Sequence, residues 1–193
     1  MKYATAVYLI AFFGLATARP TTMKKREVPQ ELSHFKFLTG ANTFLKVDNP
    51  DEIVDAVFGL LGNAAASQGA GKITNFDCLQ MEIADRAFSN AKAAGDIQGQ
   101  ADALLYRALE KNTGAVGQTS AICTETAVNP EIDAITQHQD PASADAAAVN
   151  KAIVLELAKQ LSAIGADPLL ALESGTFAPG EVKFILSITG LVS

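Results

Sequence analysis

KITNFDCLQMEIADRAFSNAKAAGDIQGQADALLYRALEKNTGAVGQTSAIC, residues 72–123, is the stretch whose reading decides the fold. Phe76, Leu79, Ile83, Ala87 and Ala91 recur every three or four residues, an apolar stripe on one face of a helix. Thr74 and Asp77 have capping-box spacing, with Asp where Glu is usual, so this helix is expected to open at Thr74. Gly95 supplies the left-handed stop, and Asp96 restarts the chain as an N-cap. Ile97, Ala101, Leu104, Leu105, Ala108 and Leu109 then draw a second stripe, closed by Gly114. So short a turn implies an antiparallel helical hairpin. Gly99, inside the second helix, costs about 1 kcal/mol against alanine. It is expected where a neighbouring helix crowds the backbone.

On the N-terminal side, residues 27–47 are only weakly periodic. His34, Phe35, Phe37, Leu38, Phe44 and Leu45 fit either a partly buried arm or two short strands. Asp48-Asn49-Pro50 announces a helix, and Ile53, Val54, Val57, Phe58, Leu60 and Leu61 make it apolar enough to be buried. Residues 62–71, GNAAASQGAG, read as a flexible connection. Lys72 after Gly71 is not a phosphate loop, because Ile73 stands where a hydroxyl is required. On the C-terminal side, Asn129-Pro130-Glu131 opens a short helix to about Gln139. Asp140-Pro141 opens the longest one, carrying Val149, Ile153, Leu157, Leu161 and Ile164 on one face, widened by Val154 and Ala158 and stopped by Gly165. Asp167-Pro168 starts a last short helix, Leu169 to Glu173, ended by Ser174-Gly175. The expected fold is all-α: a single-domain bundle of five to six helices around the central hairpin, over residues 48–180.

With 193 residues, 49% of them hydrophobic, the chain suffices for one sizeable core. A net charge of -6 argues against nucleic acid as a partner. Residues 1–18 read as a signal peptide. Lys2 precedes an apolar run from Ala4 to Leu15, too short for a stable membrane span, and Ala16-Thr17-Ala18 predicts cleavage before Arg19. Residues 19–47 form a propeptide or N-terminal arm, in which Lys24-Lys25-Arg26 is a dibasic site of the kind secretory proteases cut. Export makes Cys78 and Cys123, the only two cysteines, a disulfide pair rather than reactive thiols. The bridge closes a loop of about 46 residues, for which chain entropy gives about 4 kcal/mol.

No catalytic, metal-binding or cofactor-binding constellation emerges. His138 stands near Glu131, Asp133 and Asp140, but the other histidine, His34, is about a hundred residues away, so a solvated or capping role is expected. Asp85-Arg86 and Tyr106-Arg107-Glu110 read as helix-surface polar groups, with an internal salt bridge within the hairpin as the alternative. Residues 103–110 have the flavour of one tetratricopeptide helix, but no 34-residue period returns.

The phrases Ile73-Thr-Asn-Phe-Asp-Cys78, Glu82-Ile-Ala-Asp-Arg86, Tyr106-Arg-Ala-Leu-Glu110, Asn129-Pro-Glu131 and Gln137-His-Gln-Asp-Pro-Ala-Ser143 resemble a family of small secreted ascomycete cell wall proteins. The resemblance spans about residues 72–180. It implies a secreted, non-enzymatic protein in the wall or the extracellular medium, with wall polysaccharide or wall proteins as partners and no catalytic residues to carry over. The chain departs from that pattern in its apolar tail, residues 181–193. There a retained intron, a genuine short helix or strand, and a minimal GPI signal around Ser174-Gly175 are the three readings. A second functional class is a helical binding module for a small apolar ligand or a hydrophobic surface; a host-directed effector is a third.

Overall fold

The computed structural model describes residues 28–176, with side chains from residue 33 onward. The expected signal peptide, the dibasic site and the apolar tail lie outside the described residues. Six α-helices follow one another: α1 (Val28–Leu45), α2 (Asn63–Ala66), α3 (Leu79–Ala94), α4 (Ile97–Ala108), α5 (Pro130–Asp133) and α6 (Ala146–Ala163). Two 3-10 helices, Ala56–Leu60 and Pro168–Ser174, complete the set, and no strand occurs among the described residues.

The hairpin is α3 and α4. Gly95 sits at φ 69, ψ 20 and returns its N–H to the Ala91 and Lys92 carbonyls, a turn that an L side chain would strain. The Asp96 carboxylate accepts from the Gly99 N–H at 2.8 Å and caps α4. The start of α3 differs from the expectation. Thr74 caps nothing, and the helix begins only at Leu79, after Cys78. Asp77 is engaged elsewhere, accepting from Asn63 Nδ2 at 2.7 Å. At its other end α4 stops at Ala108, well before Gly114. The amide of Gln80, from α3, donates to the carbonyls of Tyr106, Arg107 and Leu109, which satisfies that terminus from across the hairpin.

Within the stretch left undecided between an arm and strands, Val28–Leu45 form the helix α1, packed across both arms of the hairpin. Phe37, Ala41 and Leu45 are buried at four-residue spacing, while Phe35 is exposed. Two glycines set the crossing of α1 with α4. A Cβ on Gly40 would stand 2.1 Å from Asp102 Oδ2, and one on Gly99 would stand 2.1 Å from the Phe44 ring. Each helix therefore lays a side chain where the other has none, as the crowding expected at Gly99 requires.

The helix expected after Asn49 does not form. Asn49 folds back on the chain, accepting from the Ile53 N–H at 3.0 Å and donating to the Ile53 carbonyl at 2.8 Å, bonds that compete with a helix. Only the 3-10 helix Ala56–Leu60 follows, capped by Asp55, and Val54 is exposed. Residues 62–71 are no loose connection either. They contain α2, pair back through Val54 N–H to Gly69 O and Lys72 N–H to Asp51 O, and bury Ala66 and Ala70. Their small side chains serve close packing.

Beyond the hairpin the expected helices shorten. The Asn129-Pro130 start yields the single turn α5. Asp140 caps a separate turn, accepting from the Ala142 N–H at 2.8 Å, so α6 opens at Ala146 rather than at Pro141. Ile153, Leu157 and Leu161 of α6 point into the core against α4, whereas Val149 is exposed. Gly165, at φ 83, ends that run, and Asp167 caps the last 3-10 helix through the Leu169 N–H.

Candidate functional site

The polar residues singled out in the sequence occupy places that their identities alone do not disclose. Asp85 is buried, not on the surface. Its carboxylate accepts from the Val128 and Asn129 N–H groups, both at 2.9 Å, and from Asn129 Nδ2 at 2.7 Å. It ties α3 to the entry of α5, a purely structural use. Arg86 remains at the surface, beside Asp51 at 3.5 Å and Asp48 at 3.9 Å. Tyr106 is fully buried, its hydroxyl donating to the Ala56 carbonyl at 2.6 Å and so docking the first 3-10 helix on the hairpin. Arg107 is also buried. It donates through Nη1 to Gln137 Oε1 at 3.2 Å, and burial pulls its pKa down to about 10.

The largest correction concerns His138. It is not solvated; it lies at 0% exposure in a strap, residues 137–140, whose four side chains are all buried. The strap is stitched to the rest by its own amides. Gln137 Nε2 donates to the Ala121 carbonyl and to Ser120 Oγ, and Gln139 Oε1 accepts from the Ser120 N–H. Asn150 of α6 holds both backbone groups of Gln139, and the His138 N–H donates to the Ala108 carbonyl at 2.9 Å. The imidazole Nε2 lies 3.1 Å from Ser174 Oγ.

A serine beside a histidine invites comparison with a hydrolytic dyad, but the hydrogen bonding runs the wrong way. Ser174 spends its one proton on the Ala171 carbonyl at 2.8 Å, so Nε2 must carry the proton that it shares with Oγ. A nucleophilic serine needs the opposite, a basic Nε2 that takes its proton. Ser174, like His138, is fully buried. His138 Nδ1 has no partner, so no carboxylate orients the ring.

A polar-rimmed cleft of about 320 Å³ lies between α2, the start of α3 and residues 111–121. Lys111, itself buried, forms its floor. Its ammonium donates to the Phe76 carbonyl at 2.6 Å and to Asn63 Oδ1 at 3.0 Å, with Asp77 at 3.9 Å. Burial lowers its pKa, partly offset by Asp77. Asn112, Thr113, Gln118 and Thr119 complete a wall of amides and hydroxyls.

No family model, curated protein or solved structure matches this chain. The chemistry must therefore be read from its own residues. Cys78 and Cys123 are joined, with Cα atoms 4.5 Å apart. The bridge fastens the long irregular stretch after α4 to the start of α3, and Asn75 crosses the same junction to Glu125 at 2.6 Å. Among the described residues no group of three or more His, Cys, Asp and Glu is placed to hold a metal ion, and no helix is long and apolar enough to cross a membrane.

Proposed function

We propose that this chain is an exported, non-enzymatic structural or surface protein of a fungal cell wall, stabilised outside the cell by its disulfide. The observation that carries the reading is the Cys78–Cys123 bridge, a bond that persists in oxidising compartments and is rare where thiols are kept reduced. The leader-like residues 1–18 and the resemblance of residues 72–180 to secreted wall proteins point the same way. The reversed hydrogen bonding at Ser174 and His138 supports a role without turnover. Wall polysaccharide or wall proteins are the partners, and the polar cleft above Lys111 is the surface best suited to meet them.

Fractionation of a fungal culture expressing the chain tests this directly. Recovery from the wall or the medium as an oxidised protein is expected; confinement to the cytosol would refute the reading. Hydrolysis of ester, peptide or glycoside substrates that is abolished by Ser174→Ala would refute its non-enzymatic part.

A further inference from the structure

Two histidines separated by about a hundred residues in sequence converge on one short piece of chain. His138 reaches Ser174 Oγ from the buried strap. His34, on α1, lies against the backbone of Glu173 and Gly175. Lys36, two residues further along α1 and exposed, pairs with Glu173. The 3-10 helix Pro168–Ser174 packs on α6, α4 and α1, and Ala171 and Ser174 are its buried residues.

We propose that His34 and His138 form an acid-operated latch, which holds the end of the 3-10 helix Pro168–Ser174 in the fold and releases it when the rings are protonated.

The geometry makes neutral rings a condition of closure. His138 Nδ1 and His34 Nε2 are both buried without a hydrogen-bond partner. A proton arriving at His34 Nε2 would create a buried donor and a buried charge with nothing to accept them, and at His138 the neutral Asn150 side chain offsets burial only in part. The titratable or charged groups on the surrounding elements are already engaged. Lys36 of α1 and Glu173 of the 3-10 helix pair with each other, Arg107 of α4 is held by Gln137, and Asp140 of the strap accepts from Gly117 and Ala142. From α6 comes the neutral Asn150. The charge that acts on the His138 ring is that of His34, of the same sign, so the second proton is harder to place than the first.

Burial is the main cause that lowers both histidines, His138 to about 4. The sign follows. A ring exposed by opening takes its proton near 6.5, whereas the closed ring resists until about 4. Closure is therefore favoured most above pH 6.5 and weakens as pH falls to and past 4, by at most about 300-fold. Opening is local because the strap is anchored through its backbone to Ala108 and Asn150, while the 3-10 helix is a short element of seven residues.

The chain has two histidines, so their titrations can be assigned with one variant each. In the full-length oxidised protein, imidazole Cε1–H signals and backbone amides are followed by NMR from pH 7.5 to 3.5. His138 is expected to titrate well below 6.5, with the amides of Ala171 and Ser174 shifting or broadening over the same range and those of Ala84 and Leu105 unmoved. His138→Gln is expected to keep the Ser174 amide steady to lower pH. A His138 titration near 6.5, segment amides steady through the titration, or a variant that opens at the same pH as the parent would each overturn the latch. If His138→Gln does not fold at pH 7, the parent titration alone decides.

Discussion

Replacing both Cys78 and Cys123 by alanine should cost about 4 kcal/mol. Alanine is the informative choice because Cys78 is fully buried, and a serine hydroxyl there would add its own desolvation cost. The two residues are 45 apart in sequence. In the chain-entropy account, closing a loop of that size removes about 13.5 cal/mol/K from the unfolded ensemble, or about 4 kcal/mol at 25 °C. The native side adds to the loss, because residues between α4 and α5 carry almost no regular structure and depend on a few anchors. Among those anchors are the bridge, Asn75 to Glu125, and the Gln137 and Gln139 bonds to residues 120 and 121. For a folded part of this size the melting temperature should fall by about 8–16 °C. Circular dichroism at 222 nm, recorded in oxidised, reduced and double-alanine protein, makes the measurement. Mass spectrometry without reductant supplies the count of free thiols. Two free thiols in the secreted chain, or a midpoint that reductant leaves unchanged, would refute the reasoning.

Two further substitutions probe the packing. Gly99→Ala gains about 1 kcal/mol of helix propensity yet should destabilise by a net 1–3 kcal/mol, because its Cβ falls on the Phe44 ring. Pairing it with Phe44→Leu should recover part of the loss in a urea denaturation series, and additive losses would show that the two sites are not in contact. Asp85→Ala should cost about 2–4 kcal/mol by stranding the Val128 and Asn129 N–H groups. Hydrogen exchange should quicken at residues 128–133 before α3 itself is affected; unchanged exchange there would contradict the role assigned to Asp85.

The central hairpin was legible because several independent signals agree on it. The stripes through Ile83 and Leu104, the glycine at 95 and the cap at 96 each act locally, so neighbouring sequence determines them. The disulfide was legible because two cysteines behind a leader-like N-terminal stretch admit few alternatives. The helix α1 was obscured by its narrow buried face, one residue per turn, with Phe35 turned outward. The stretch after Asn49 misled because a side-chain bond competes with the helix that the same residues announce. The buried polar residues were the least legible. Gln80, Asp85 and Arg107 meet partners 26 to 44 positions away, and His138 meets one 36 away. Nothing near them in sequence separates a satisfied buried amide or imidazole from a solvated one. The cleft above Lys111 was missed for a related reason: residues from α2, from before α3 and from after α4 form it together.

The burial of Tyr106 also gives the molecule an optical property. The chain contains no tryptophan, and its other tyrosines, at positions 3 and 8, lie within the leader-like segment. In a chain beginning at Arg19, all the phenol emission would come from one ring, shielded from water and bonded to the Ala56 carbonyl. Its brightness and lifetime would follow a single event, the lifting of the 3-10 helix Ala56–Leu60 from the hairpin, without any added label.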